Sequence, residues 1–365
     1  MRLGKLTLSL VFTSLIASAA ASTEPDALAR EYLGFPDVKS VAPAQVGDGK
    51  KKSGKLQSSP GRVAWDSYER QIGKPLRKWT AEEVAPPQGG TVFYPFSGPD
   101  FVTVAQMFPE AERYVLVAMQ PAGEVVDTRA MPPMAANAFK SKFNLEWMKF
   151  GYLGFFRTLD LNENTASTKA RLTSTPVMMA FAAALDFRVE SVVPLRFNAD
   201  TAEFEPVDGT GEKRWTSVRM EMSKNDRKVT LDYISMDLSD GFLKSHAGEL
   251  NWIRKAAGNP TLLKAASHLL PKPYFSACRA AIVDAAPLLV QDETGLEYGD
   301  LKKMGTVSLY GRFSGVFRLF NQNSQRDLAS AYLNAGQKSV LPFAFSYQKM
   351  LNQRSLQVVR RDPHP

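Results

Sequence analysis

The sequence predicts an α/β protein with a mixed, partly parallel sheet flanked by helices and an added antiparallel hairpin. Three observations lead to this class. TVFYPF, DFVTVAQMFPEA and RYVLVAMQP read as strand, helix and strand within about 30 residues, the span of a βαβ unit. Such a unit implies parallel strands joined by a right-handed crossover. SVRMEMS and KVTLDYISMDL alternate in polarity around Lys224-Asn225-Asp226-Arg227, the pattern of a hairpin. Between these pieces lie segments with apolar residues at three- and four-residue steps, which is the helical period.

Taken in order, the chain opens with MRLGKLTLSLVFTSLIASAAAS. Arg2 and Lys5 precede an apolar run from Leu6 to Ile16, and Ala19-Ala20-Ala21 fits the small-residue rule for cleavage. We read residues 1–21 as a signal peptide, which predicts a periplasmic or secreted protein. The apolar run is shorter than the roughly 20 residues that span a bilayer. No later stretch is long enough, so no transmembrane segment is expected in the mature chain.

Residues 22–36 suit a short helix around PDALAREYLGF. The remainder of 22–62 reads as a flexible basic linker, rich in Gly, Ser, Lys and Pro and without apolar periodicity. Residues 63–361 then form the globular part, with a division into two lobes near 165 compatible with the pattern. Trp65, Tyr68 and Ile72 mark a helix that Pro75 interrupts. Residues 131–161 read as one helix, with Phe139, Phe143, Trp147, Phe150, Leu153, Phe156 and Leu159 along a single stripe. Packing explains that stripe more simply than a ligand pocket does. TPVMMAFAAALDF is a helix and RVESVVPLRF a strand. SHAGELNWIRKAAG and NPTLLKAASHLL read as helices separated at Gly258-Asn259-Pro260. PYFSACRAAIVDAA is a helix, and PLLVQDETG a strand ending in an acidic turn. TVSLYGRF, PFAFSYQ and SLQVVRR read as late strands, with a helix at SQRDLASAYLNA.

Charge and composition narrow the function classes. The formal net charge is +8. Arg2 and Lys5 contribute two of those charges, and the stretch GDGKKKSGKLQSSPGR carries five cations against one acid. The basic excess therefore sits largely in the linker rather than on an ordered face, and no nucleic-acid partner is expected. A small molecule or an envelope component remains as partner, and the pattern does not define an oligomeric state. A lone Cys278 excludes an internal disulfide, and its apolar helical neighbours suit a buried thiol. His246, His268 and His364 are isolated, so no metal site is expected. Neither a Walker A loop nor a G-x-G-x-x-G turn occurs, and no cofactor is expected.

Two turns carry the candidate chemistry. In FYPFSGPDF, Ser97 and Asp100 suit an N-cap and N3 pair in a capping box, with Pro99 in the first turn. The same residues would also stand at a strand's carboxyl end, where open α/β sheets bind ligands. In VQDETG, Asp292 and Glu293 follow a second apolar strand, and adjacent strand residues point to opposite faces. A solvated acidic turn closed by Gly295 is the plain alternative. The candidate binding set is Tyr94, Ser97, Gly98, Asp100, Gln291, Asp292 and Gly295. The catalytic candidates are Ser97, Asp100 and Asp292, which would serve an envelope hydrolase if they converge. A ligand-binding or accessory protein is the first reading, motivated by the aromatic stripe and the absence of a recognisable catalytic set.

The blocks FYPFSGPDF with FPEAERYVLV, VQDETGLEY, and LYGRFSG resemble a family of bacterial secreted proteins of uncharacterised function, across residues 75 to 350 or so. Members of that family read Gln-Asp-Asp-Ser-Gly-Ile-Pro-Tyr where this chain has QDETGLEY. The resemblance thus implies Asp292 rather than Glu293 or Glu297 as the acid that matters, and an address outside the cytoplasm.

Overall fold

A computed structural model describes residues 25–34, 60–156, 172–209, 214–316, 325–334, 340–349 and 351–362. The expected signal peptide, most of the expected linker, His364, Leu159 and the point near 165 lie outside the described residues.

Valine, aromatic and β-branched residues build the centre of the sheet. β1 (Thr91–Pro95) and β2 (Arg113–Ala118) pair in parallel from Thr91↔Arg113 to Pro95↔Val117. The helix α4 (Phe101–Met107) crosses between them. Preceding it in the chain are α1 (Pro25–Tyr32), α2 (Pro60–Tyr68) and α3 (Lys74–Trp79). Among the described residues the sheet has ten strands, in the order β4-β3-β5-β6-β2-β1-β7-β8-β10-β9. The outer strands are β3 (Arg188–Asn198), β4 (Glu203–Pro206) and β5 (Ser217–Lys224) on one side, and β9 (Gly305–Arg312) and β10 (Arg354–Arg361) on the other. Between them β6 (Arg227–Ser235), β2, β1, β7 (Thr261–Leu263) and β8 (Leu288–Gln291) all run parallel. The fold class read from the sequence is the one observed, including the β5–β6 hairpin. Asn225 and Asp226 at its tip have φ of 51° and 62°, the left-handed pair that a type I′ turn requires.

Both faces of the parallel block are covered, and the strand alternation divides the core accordingly. Val92 and Tyr94 of β1, with Tyr114 and Leu116 of β2, face a layer of α1 to α4 together with α5 (Pro133–Leu153) and α6 (Ser174–Ala184). Phe93, Val115 and Val117 face α7 (Ala247–Ala257), α8 (Ser276–Ala285) and α9 (Tyr298–Met304). The stripe on α5 is core. Trp147 packs tilted and Phe150 edge-on against Phe181 of α6, at ring-centroid separations of 4.9 and 4.8 Å. α1 belongs to the same layer, since Tyr32 donates its hydroxyl to Val126 O at 2.7 Å and packs on Phe139 and Phe143.

The structure corrects five local readings. The helix read over 131–161 ends at Leu153, where Gly154 takes the left-handed conformation, so Phe155 and Phe156 lie beyond it. Residues 260–268 are not a helix, because Thr261–Leu263 forms a central strand between β1 and β8 and a loop follows. Three residues are too few to display alternation, so the run of Leu and Ala mimicked the helical period. PFAFSYQ is not a strand, since Ser346–Lys349 is a 3₁₀ turn. Both edges of β10 are already paired, to β8 and β9. Phe343 and Phe345 instead fill the core. Pro75 does not end its helix. π-helical turns at Glu69–Gly73 and Thr80–Val84 flank α3, and the first accommodates the missing proline N–H with Lys74 N bonded to Glu69 O. The capping box at Ser97 is also absent. α4 begins at Phe101 with Asp100 at the N-cap and no side-chain cap bond, three residues later than the sequence suggests.

A candidate ligand cleft at the carboxyl ends of the parallel strands

β1 passes through α4 to β2 on one side, whereas β6 passes through α7 to β7 on the other side of β1. The connections leaving β1 and β7 therefore diverge, and a crevice opens beyond their carboxyl ends. The cleft there has a volume of about 430 Å³. Tyr94, Phe96, Ser97, Gly98, Asp100, Met119, Gln120, Lys264 to Ser267, Phe155, Phe156 and Tyr347 are among the residues that line it.

The turn after β1 is built to approach the cleft closely. Phe96 and Gly98 both have left-handed φ, 58° and 53°. Ser97 N donates to Val117 O at 3.1 Å, holding the turn against the end of β2. The Ser97 hydroxyl lies 2.9 Å from Gly98 O and 3.3 Å from Val117 O, so it is occupied by backbone carbonyls.

Beneath this turn sits a closed ionic cluster. Asp100 Oδ1 accepts from Thr103 Oγ1 at 2.8 Å, and Oδ2 accepts from Lys264 Nζ at 2.7 Å. The Tyr94 hydroxyl lies 2.9 Å from Asp100 Oδ2 and 3.2 Å from Lys264 O. Burial, and then the adjacent Asp100 carboxylate, push the Tyr94 phenol well above its ordinary range, so it stays protonated and serves as a donor. The Lys264 side chain is 0% exposed. Its other two N–H groups go to Thr103 Oγ1 and Gly154 O, both at 3.0 Å, and its charge lies 5.0 Å from the centre of the Phe345 ring. Every donor of this ammonium is thus matched, the condition under which a buried charge is tolerated. Gly154 ends α5 in the left-handed conformation, φ 75°, so the cluster ties three segments to one point.

The loop after β7 carries backbone strain. Ala265, Ser267 and His268 have φ of 52°, 53° and 54°, unusual for residues with a Cβ. The VQDETG turn holds that loop in place. Asp292 Oδ2 accepts from Ala265 N at 2.9 Å, Thr294 Oγ1 accepts from Ala266 N at 2.7 Å, and Thr294 O accepts from His268 N at 3.1 Å. Asp292 Oδ1 in turn accepts from Thr294 N and Oγ1, at 2.9 and 2.5 Å. Burial raises the Asp292 carboxyl, although its Thr294 and Ala265 donors oppose that. Burial, with Lys272 adding to it, pulls the His268 imidazole down to about 4, so the ring is neutral near pH 7.

Glu293 points away from the cleft. Its carboxylate meets Gln348 Nε2 and, at 3.2 Å, Ser355 Oγ. Burial and the neighbouring Asp292 charge push it up to about 8. Gln291 pins the turn by accepting from Leu296 N and donating to Leu296 O, at 2.9 and 3.0 Å. Gly295 is required there, because a Cβ would lie 2.5 Å from Gln291 Oε1.

The two predicted turns accordingly stand at the same rim, but they take different positions. Tyr94, Ser97, Gly98 and Asp100 line the cleft. Gln291, Asp292 and Gly295 lie behind it and support the β7 loop. Lys264 and Ala265 stand between the two groups, with Lys264 bonded to Asp100 and Ala265 to Asp292. Ser97 and Asp100 are joined by a backbone hydrogen bond, Asp100 N to Ser97 O at 3.4 Å, but among the described residues no side-chain hydrogen bond links Ser97, Asp100 and Asp292. The Ser97 hydroxyl meets carbonyls and not the base an activated nucleophile requires.

Lys264, Thr103, Gln120, Phe155 and Tyr347 were not singled out from the sequence, whereas Phe156 was, as a member of the aromatic stripe. One signal pointed to Lys264: a lone cation inside TLLKAAS, just after the breaker Asn259-Pro260. Outside the cleft, Cys278 is fully buried and desolvation pushes its thiol up to about 12, so it is inert. Among the described residues no cluster of His, Cys, Asp and Glu has a geometry that holds a metal ion. No helix among them is long and apolar enough to cross a membrane. Compared with known protein families and with curated proteins, the chain matches none.

Proposed function

We propose that this chain is an exported ligand-binding or accessory protein of the cell envelope, and that its ligand is a small, largely uncharged molecule held in the cleft beyond β1 and β7. One observation carries the reading. The cleft is walled by Phe96, Phe155, Phe156 and Tyr347, while the charges at its floor are matched internally by Lys264, Asp100 and Thr103. A preformed apolar cleft with a few polar edges is the usual form of a small-molecule site. Binding is favoured over hydrolysis because the Ser97 hydroxyl is held by carbonyls and the Lys264 ammonium has no donor to spare. Export is supported by the N-terminal pattern of Arg2, Lys5, the apolar run and Ala19-Ala20-Ala21.

A thermal-shift screen of the chain lacking residues 1–21 tests this reading, using neutral aromatic and apolar compounds. Ser267→Trp serves as the blocked control, since Ser267 lines the cleft and is partly exposed. Compounds that raise Tm in the parent and not in Ser267→Trp are expected. Equal shifts in both proteins, or none in either, would overturn the assignment.

A further inference from the structure

Resting on that reading, we infer that the cleft takes a nucleoside without a phosphate group. Three independent features of this chain converge on that class.

The first is topological. Numbered along the chain, the parallel block β6-β2-β1-β7-β8 has the order 3-2-1-4-5. This is the doubly wound arrangement whose crevice, at the switch between strands 1 and 4, accommodates nucleotide-type ligands. The second is the end of β2. In that arrangement an Asp or Glu about 20 residues beyond the glycine-rich turn bonds the ribose 2′-hydroxyl, and here a neutral Gln stands at a comparable spacing. Gln120 lines the cleft just beyond β2, 22 positions after Gly98. Its carboxamide supplies both a donor and an acceptor for a vicinal diol. Phe96, Phe155, Phe156 and Tyr347 supply aromatic surface on which a base can stack.

The third feature excludes phosphate. Lys264 is the one cation among the described residues lining the cleft, and its three donors go to Asp100, Thr103 and Gly154. The helix that follows the β1 turn has seven residues and begins with the Asp100 carboxylate at its N-cap. A phosphate would meet that carboxylate with no free cation or glycine-rich loop among the described cleft residues to offset it. The chemistry these residues offer is therefore that of base stacking and ribose recognition alone.

Isothermal titration of the chain lacking residues 1–21 tests this, using the four ribonucleosides as phosphate-free probes and their 5′-monophosphates as counterparts. At least one phosphate-free probe is expected to bind, and its 5′-phosphorylated form about tenfold more weakly or worse. Gln120→Ala is expected to weaken that probe by roughly 2- to 12-fold, the range of one or so net hydrogen bonds. The 2′,3′-dideoxy analogue should bind parent and Gln120→Ala alike. Monophosphates that bind as tightly as nucleosides overturn the exclusion of phosphate. An equal effect of Gln120→Ala on the dideoxy analogue overturns ribose recognition. If other compounds distinguish the parent from Ser267→Trp while no nucleoside binds, the nucleoside assignment falls and the binding reading stands. If no compound distinguishes them, both fall.

Discussion

Lys264→Met is the most direct perturbation of the site. Methionine keeps the unbranched stem and most of the volume, so the change removes chiefly the ammonium. Three hydrogen bonds then disappear, to Asp100 Oδ2, Thr103 Oγ1 and Gly154 O. The Asp100 carboxylate is left buried without its counter-charge. Losing one partner of a buried ion pair costs about 3–5 kcal/mol. Asp100 keeps Tyr94 and Thr103 within hydrogen-bond distance, which places this case near the lower end. An effect of about 3 kcal/mol corresponds to a fall in Tm of roughly 4 °C for a chain of this length, at about 2.1 cal/mol/K of unfolding entropy per residue. The assay is denaturant unfolding followed by circular dichroism, on the parent, Lys264→Met, Asp100→Asn and the double variant. Because removing both charges leaves neither unpaired, the double variant should be more stable than the sum of the two single effects implies. A cost below about 1 kcal/mol for Lys264→Met, well under the range for a buried pair, would refute the closed-cluster argument. So would strict additivity in the double variant.

Two further outcomes follow from the turn behind the cleft. Glu293 sits at about 8 in the folded chain against an ordinary 4.5, so between those values the folded state holds a proton that the unfolded state has lost. Stability contributed by this group is full below about pH 4.5 and declines as pH rises toward 8. Glu293→Gln should reduce that decline by up to about 1.4 kcal/mol per pH unit, the value for one proton. Unfolding curves collected across the window check this, and identical pH slopes in parent and variant would contradict it. Gly295→Ala forces a methyl against Gln291 Oε1, whose side chain is already held by Leu296 and Gln357. The expected loss is about 1–3 kcal/mol. A variant as stable as the parent would show that Gln291 does not hold the turn.

Where local chemistry repeated over enough residues, the sequence was readable. The β1–α4–β2 unit could be seen because its strands, five and six residues long, are rich in Val and aromatic residues and the helix between them starts at a turn. The β5–β6 hairpin could be seen because Asn225-Asp226 tolerates the two left-handed positions. The site was half visible. Tyr94, Ser97, Gly98 and Asp100 lie in one short stretch with turn chemistry. Lys264 directly follows a strand of three residues, and a central strand that short is defined by its neighbours rather than by its own pattern. The capping box misled for a related reason. Ser97 to Asp100 had the right residue types, but Asp100 is drawn toward Lys264, 164 positions away, and the helix starts after it.

The amino-acid order by itself determined the fold class, most element positions, the aromatic core stripe and the location of two polar turns after strands. Each follows from periodicity or turn propensity acting over a few neighbouring residues. Only the tertiary structure decided the rest. It set which strand lies between those turns, which acid lines the cleft and which one braces it, and which ammonium neutralises the floor. Those are matters of pairing between residues far apart in the chain, settled by strand order and by the requirement that every buried charge find a partner.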